Sequence, residues 1–523
     1  MKPSSTDPAE SKTDKHKLGV LAATSYVVSY IVGTGIFISP TSILKGTGSV
    51  GLSLIVWVIC GIVSLIAALS FIELGTSIPQ SGADFAYQTY VGWNGIAFAV
   101  VYMGMLLQSP TSAAILLQTV GVYLTEALGL FICMPAEYKF YMEKVPPLLI
   151  YYLLAYLNFY SIEKYAAKLQ TAAFAMKVFC LLFISGIGIY FIIAGKTSGV
   201  FDHAFDGTFF QSTGMMNALY AGLWAYSGWD ALNYGMEDIR NPKTSLPIAA
   251  FGGTLLVLIL YLLTNIAYFS VLGVHGTLES DAVASTLIDK VFGRNVAAAV
   301  PFILAIITAT TVNVGIFGSS RVWFSVCRHG YGPTMFSGMT ENHSPRPAIC
   351  FIVILPTIYL LIGNLDTLIA VNNITLWAMH GISVAALMLI RLKKIPVNRD
   401  AIQMPLILHI AFLVMCAYLV VVPYINDLVI TLIGTGVIVA LFLVYFPLVK
   451  YSWIPAVVTK INHFLAKWSE VLFIVSTTAK LEEHQHDQLT PPVSKRHDVE
   501  SSQTLDHNDD DLDSSRTTLR IRF

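Results

Sequence analysis

Charge is scarce in this 523-residue chain: Asp, Glu, Lys and Arg make up 12% of it, against roughly 25% in an ordinary soluble domain. Hydrophobic residues make up 55% and the mean hydropathy is +0.67, so the solvated shell of a soluble globule is missing. The formal net charge of −1 implies neither a nucleic-acid nor an acidic partner. Cysteine is thin as well. Cys60, Cys133, Cys180, Cys327, Cys350 and Cys416 show no CxxC pairing and no metal-ligand spacing. All but Cys133 fall in or beside apolar runs and read as small packed side chains. No nucleophile–base pair or metal set stands among those runs, so no enzyme, cofactor or metal is expected. Residues 1–17 are polar, and the run after them is too long for a signal-peptide core, so no cleaved signal is expected.

What the chain has is apolar length. A bilayer crossing needs about 20 apolar residues. Twelve runs meet that need, near residues 18–44, 49–75, 93–123, 146–162, 165–194, 213–238, 246–273, 295–325, 348–364, 367–391, 402–423 and 428–449. They are spans one to twelve below. With the N-terminus inside, the inner segments hold fifteen Lys and Arg residues and the outer loops hold six. The positive-inside rule then puts both termini in the cytoplasm. Residues 18–450 read as one twelve-helix domain behind a 1–17 cytoplasmic tail. Residues 451–479 read as an amphipathic helix on the inner membrane surface, from Ile461, Phe464, Leu465, Trp468, Val471 and Leu472 interleaved with Lys460, His463 and Lys467. Residues 480–523, with Asp509-Asp-Asp511, bury too little apolar area to fold.

Two spans are interrupted. Span one carries Gly33-Thr34-Gly35 in its middle, and span six carries Tyr226-Ser-Gly-Trp229. A helix broken in hydrocarbon strands backbone N–H and C=O groups at several kcal/mol each, tolerated only where they line a cavity. Broken helices in corresponding positions of two halves point to a transporter's substrate site. The predicted fold is an all-α polytopic membrane protein with a 5+5 inverted repeat and two appended helices, helices 1 and 6 unwound at mid-membrane.

Gly33, Thr34, Gly35 and Ile36 place free N–H groups at a half-helix N-terminus, which suits a carboxylate. The competing reading, small-residue helix packing, fits poorly because the two glycines are one residue apart rather than four. The carbonyls around Tyr226, Ser227 and Gly228 would take the substrate's ammonium group. Asp230 stands two residues past the break. An intramembrane acid is a functional candidate by default, yet it would equally cap the following half-helix; both readings stay open. Lys177 sits mid-span in span five, too deep to snorkel. Asn313, Ser319-Ser320, Asn372-Asn373 and Trp377 read as interhelical contacts, with Asn313 also a candidate border of the pocket.

Gly33-Thr-Gly-Ile-Phe-Ile-Ser-Pro40, Glu73-Leu-Gly75 followed by Ser81-Gly-Ala, Gly222-Leu-Trp-Ala-Tyr-Ser-Gly-Trp229 and Glu237-Asp-Ile-Arg-Asn-Pro242 resemble the L-type amino acid transporters. Ser320-Arg-Val-Trp-Phe and Arg328-His-Gly are similar too. These are light subunits of heteromeric amino acid transporters, in the amino acid–polyamine–organocation superfamily. The resemblance covers residues 17–475 and implies the LeuT-like fold and sodium-independent exchange of neutral amino acids. It implies that Trp224 is the aromatic gate over the substrate. It implies that the Lys177 ammonium takes the place of a sodium ion in sodium-coupled relatives. Cationic-substrate relatives put an acid where Ser227 stands, which favours neutral substrates here, although Asp230 keeps cationic or cystine-like ones open. Cys133 is similar in place to the cysteine that bonds a single-span glycoprotein heavy subunit, though it would equally sit reduced at the end of span three. Neither Asn342-His-Ser344 nor Asn373-Ile-Thr375 is placed for glycosylation in this topology, consistent with a glycosylated partner.

The chain ends with hydrophobes at Ile521 and Phe523, a pattern that suits β-strand addition to a PDZ domain. The leading expectation is a plasma-membrane exchanger of neutral L-amino acids working by alternating access. The alternatives are a proton-coupled amino acid symporter using Lys177, and a membrane-embedded amino acid sensor or scaffold without flux.

Overall fold

Each of the twelve apolar runs coincides with helix, which follows from a chain whose backbone polar groups have no water to bond in hydrocarbon. The computed structural model describes residues 17–476 except 130–134, 161–165, 281, 341–342, 363–364, 423, 425–427, 452 and 454. Span one is split into Val20–Ile31 and Gly35–Thr47, and span six into Ser212–Ala225 and the 3₁₀ segment Asn233–Asp238. Val50–Ser77, Ala136–Tyr160, Ala167–Ile193 and Val300–Arg328 form spans two, four, five and eight. Span three runs through Asn94–Gly129 and span seven through Pro242–Leu278. Arg346–Ile362, Leu365–Lys393, Leu406–Val421 and Leu428–Tyr445 complete the set. Among the described residues no strand occurs, only isolated bridges joining Leu18 to Ile239 and Met339 to Ser476. Seven tracts are by themselves long and apolar enough to cross a bilayer.

The two broken spans pack on each other. A Cβ at Gly35 would land on the Ala225 backbone, and one at Gly46 on the carbonyl of Gly214. Small-residue packing and backbone exposure therefore meet at Gly35, although spacing argued for exposure alone. The pair is also tied at one end: Leu18 N–H donates to Asp238 O at 2.7 Å, and Arg240 N–H to Leu18 O at 2.9 Å.

Two sets of charges inside the bundle are paired, which offsets their desolvation. Arg391 donates to both Glu73 carboxylate oxygens, at 2.5 and 2.6 Å, and the same carboxylate accepts from Met404 N–H and sits 3.0 Å from His409 Nε2. Arg321 Nε donates to Asp238 at 2.7 Å, joining spans six and eight. Outward-facing Ile55, Ile59 and Ile62 on span two, with Phe179 and Phe183 on span five, form a lipid-side surface.

After span twelve, Ala456–Phe473 forms one helix. Asn462 and Ser469 bond the segment Thr334–Phe336 through Thr334 N–H, Thr334 Oγ1 and Met335 O. Its Ile461, Phe464, Trp468, Val471 and Leu472 stay exposed, the apolar stripe expected of a surface helix. The N-terminal tail, Cys133, Ile521 and Phe523 lie outside the described residues, as does the side chain of Asn373.

Candidate substrate site

The gap in span one is short and heavily bonded. Val32 leaves the helix with ψ of 79°, and Gly33 N–H turns back to Ile31 O at 2.8 Å. The helix restarting at Gly35 has no side-chain cap, so the first-turn N–H groups of Gly35 and Ile36 have no intrahelical acceptor. The carbonyls before the gap are taken by side chains from three other spans. Lys177 Nζ donates to Ser29 O at 2.6 Å and to Thr311 Oγ1 at 2.8 Å. Thr311 Oγ1 in turn lies 3.2 Å from Ser29 O, and Tyr261 OH donates to Ile31 O at 3.0 Å. Lys177 is fully buried. It joins span five to span one, with span eight as the third member.

Tyr261 also donates to Ala225 O at 3.2 Å, the last residue of the first half of span six. One hydroxyl thus holds the ends of both half-helices. Beyond Ala225 the chain runs through turns over residues 226–232 before the 3₁₀ segment. Gly228 has φ of +114°, and a Cβ there would lie 2.6 Å from the Tyr30 ring, so glycine is required twice over. No α-helical second half follows. Gly235 is non-helical, and Asn233 Nδ2 bonds Phe71 O at 2.8 Å and Tyr87 OH at 2.7 Å. Asp230 makes no cap bond, because no helix begins there. Its Oδ2 accepts from Tyr234 OH at 2.5 Å.

Both gaps open on one space. A hollow lined by Tyr30, Ile31, Gly33, Thr34, Gly35, Ser112, Leu116, Trp224, Ser227 and Thr311 adjoins a second. The second shares Tyr30, Ser112, Trp224 and Ser227 and adds Gly228, Trp229, Asp230, Tyr234, Trp377 and His380. Residues of the span-one gap and of the span-six gap therefore line the same space. Span three supplies Ser112 just after a π-helical turn at Gly104–Gln108. Pro110, which lacks an N–H, stands in the helix immediately after that turn.

Of the sequence candidates, Gly33, Thr34, Gly35, Trp224, Ser227, Gly228 and Asp230 border this space. Three do not. Ile36 is wholly buried in the core. The Tyr226 ring packs on Trp57 and Tyr261, leaving only its backbone near the gap. Asn313 is spent on Asn158 at 2.7 Å and Gln170 at 3.1 Å, a buried amide cluster between spans four, five and eight. Tyr30, Ser112, Thr311, Tyr261 and His380 were not singled out. Only His380 carried a signal strong enough to find, as an ionisable group inside an apolar run.

A family model described as amino acid permease matches residues 18–448. The chain is 32% identical over 479 residues to "Amino acid transporter protein 6" of Caenorhabditis elegans, covering 90% of this chain and 91% of that one. It is 32% identical over 429 residues to the human cystine/glutamate transporter, covering 80% and 83%. It is 31% identical over 433 residues to the human b(0,+)-type amino acid transporter 1, covering 81% and 85%.

Proposed function

This chain belongs to the amino acid permease family, and on that premise we propose that it exchanges neutral L-amino acids across the plasma membrane by alternating access, without sodium. It is a multi-pass amino acid transporter and not an enzyme. The observation that carries the exchange reading is the shared space between the two gaps. N–H groups at the Gly35 helix start suit the substrate carboxylate, and the carbonyls of Ser227 and Gly228 suit its ammonium group. Trp224 borders both hollows and serves as the aromatic lid. Ser227, in place of an acid, favours neutral side chains.

Lys177 supports sodium independence. Its ammonium donates to a span-one carbonyl and a span-eight hydroxyl, the kinds of oxygen a sodium ion would draw on. It is a fixed brace in this reading, since its two buried acceptors come from spans one and eight and tie both to span five. Spans one and six, packed through Gly35 and Gly46 and joined at Leu18, would rock as one unit against spans three, four, eight and nine. A single-span heavy subunit bonded through Cys133 completes the proposal, tested by loss of a reducible complex in Cys133→Ser.

The test of exchange is uptake into proteoliposomes. Radiolabelled uptake should rise several-fold when the lumen is preloaded with unlabelled neutral amino acid and, at saturating substrate, should not be driven by an imposed pH gradient. Uptake that follows the pH gradient and is indifferent to preloading would overturn the exchange reading.

A further inference from the structure

Three ionisable side chains meet where span ten passes the gap in span six. His380 Nδ1 lies 3.5 Å from Asp84 Oδ1, and His380 Nε2 lies 3.6 Å from Asp230 Oδ2. All three are almost wholly buried. Asp84 opens the short helix Asp84–Tyr90, and its Oδ1 accepts from Ser383 Oγ at 2.6 Å, which Gln88 bonds in turn at 3.1 Å. Asp84 Oδ2 and His380 Nδ1 have no hydrogen-bond partner. The imidazole is held between Phe71 and Trp229, each with centroids 5.1 Å away.

The ring also stands between two spaces. It borders the substrate hollow that holds Trp224, Ser227 and Asp230. It equally borders a larger hollow that holds Asp84, Gly82 and Phe85. One ring nitrogen therefore approaches an acid from each.

Two buried carboxylates beside a neutral imidazole would carry a double negative charge, which hydrocarbon surroundings penalise heavily. At least one proton is then shared among the three, and it belongs to the group rather than to one residue. The other titratable side chains facing the group are Tyr30 from span one, Tyr87 from the short helix, Tyr234 after the gap and Cys416 from span eleven. The Glu73–Arg391–His409 cluster is separate: Arg391 stands about 16 Å further along span ten.

We propose that Asp230, His380 and Asp84 form a buried proton-binding site that competes with the substrate's ammonium group. The inference rests on the reading of the two gaps as the substrate site. When the site holds its extra proton, the carboxylate beside Ser227 and Gly228 is neutralised and attracts the ammonium weakly. When the amino acid enters, that proton leaves Asp230, passes to His380 Nε2, and a proton departs from the Nδ1 side to Asp84 and the larger hollow. Binding thus releases a proton, and affinity strengthens as pH rises. Because release on loading is matched by uptake on unloading, exchange itself moves no net proton.

The test is binding to the full chain in nanodiscs from pH 5.5 to 8.0, using the amino acid that best supports exchange in loaded vesicles. Wild type should tighten by roughly tenfold across that range, the behaviour of one linked proton. Calorimetry in two buffers of different ionisation enthalpy should report proton release. His380→Gln should shift the pH range over which Kd changes, and Asp230→Asn should bind with a pH-independent Kd. A wild-type Kd that is flat with pH, or release of no proton, overturns the proposal even if a variant fails to fold. So does a His380→Gln profile that superimposes on wild type. Binding that is tight but pH-independent would leave the substrate site intact, whereas no binding at any pH would remove the site reading beneath it.

Discussion

The two gaps solve the same problem in opposite ways. In span one the break covers three residues, and the carbonyls before it are bonded by Lys177, Thr311 and Tyr261. In span six the break runs over residues 226–232, closes through local turns, and beyond the single Tyr261 bond at Ala225 O has ionisable neighbours. The carbonyls before the first gap are satisfied by side chains of three other spans. The second is held mainly by its own turns, with Asp230 beside it. A short gap is cheap to pin with side chains from neighbouring spans, whereas a long one needs glycine at Gly228 and turn bonds to hold any shape at all.

Removing the brace should do the most damage. Lys177→Met removes the ammonium that Ser29 O and Thr311 share and leaves Ser29 O to Thr311 alone, at about 1.5–3 kcal/mol for a lost hydrogen bond from a charged donor. Exchange should fall more than tenfold while the variant still reaches the membrane, and thermal unfolding with uptake would measure both. Next comes glycine at the longer gap. Gly228→Ala forces a side chain into positive φ and onto the Tyr30 ring, a strain of about 1–3 kcal/mol. Its melting temperature should drop well below wild type. Tyr261→Phe removes the hydroxyl shared by Ile31 O and Ala225 O, worth about 1–2 kcal/mol, and should slow exchange without changing substrate preference. Gly33→Ala should be the mildest for the fold. Its φ is not positive and a Cβ would meet only the Thr311 side chain at 3.4 Å, an ordinary contact. Its melting temperature should stay near wild type, with any loss confined to apparent affinity. If Gly33→Ala proved more destabilising than Gly228→Ala, the contrast between a braced gap and one held mainly by its own turns would fail.

Most of the architecture was legible because the membrane simplifies it. Each of the twelve apolar runs coincides with helix, seven tracts among the described residues being long and apolar enough to cross a membrane, and glycines flanked by apolar residues marked both breaks. What composition could not supply was which way a side chain faces inside a bundle. Asn313 reads as a pocket border in a helix of unknown rotation, but it is consumed by Asn158 and Gln170. Tyr30, Ser112 and Thr311 converge on one hollow from spans far apart in sequence, and nothing local distinguishes them from ordinary helix residues. Asp230 reads equally as a ligand contact and as the cap of a second half-helix, and the cap is lost because Gly235 and the bonds of Asn233 keep that stretch from being α-helical. His380 is different: an ionisable residue in an apolar run was visible, but its two acidic neighbours come from a loop helix and from span six, and only the fold brings them within 3.6 Å.

The central claim is that the two gaps hold the two ends of an α-amino acid. It is tested most directly by comparing the Kd of a transported amino acid with those of its decarboxylated amine and its deaminated acid. Each analogue should bind at least roughly a hundredfold more weakly, since each leaves one set of main-chain groups unpaired. Either analogue binding within about threefold of the parent would show that its missing end is not recognised, and would contradict the account.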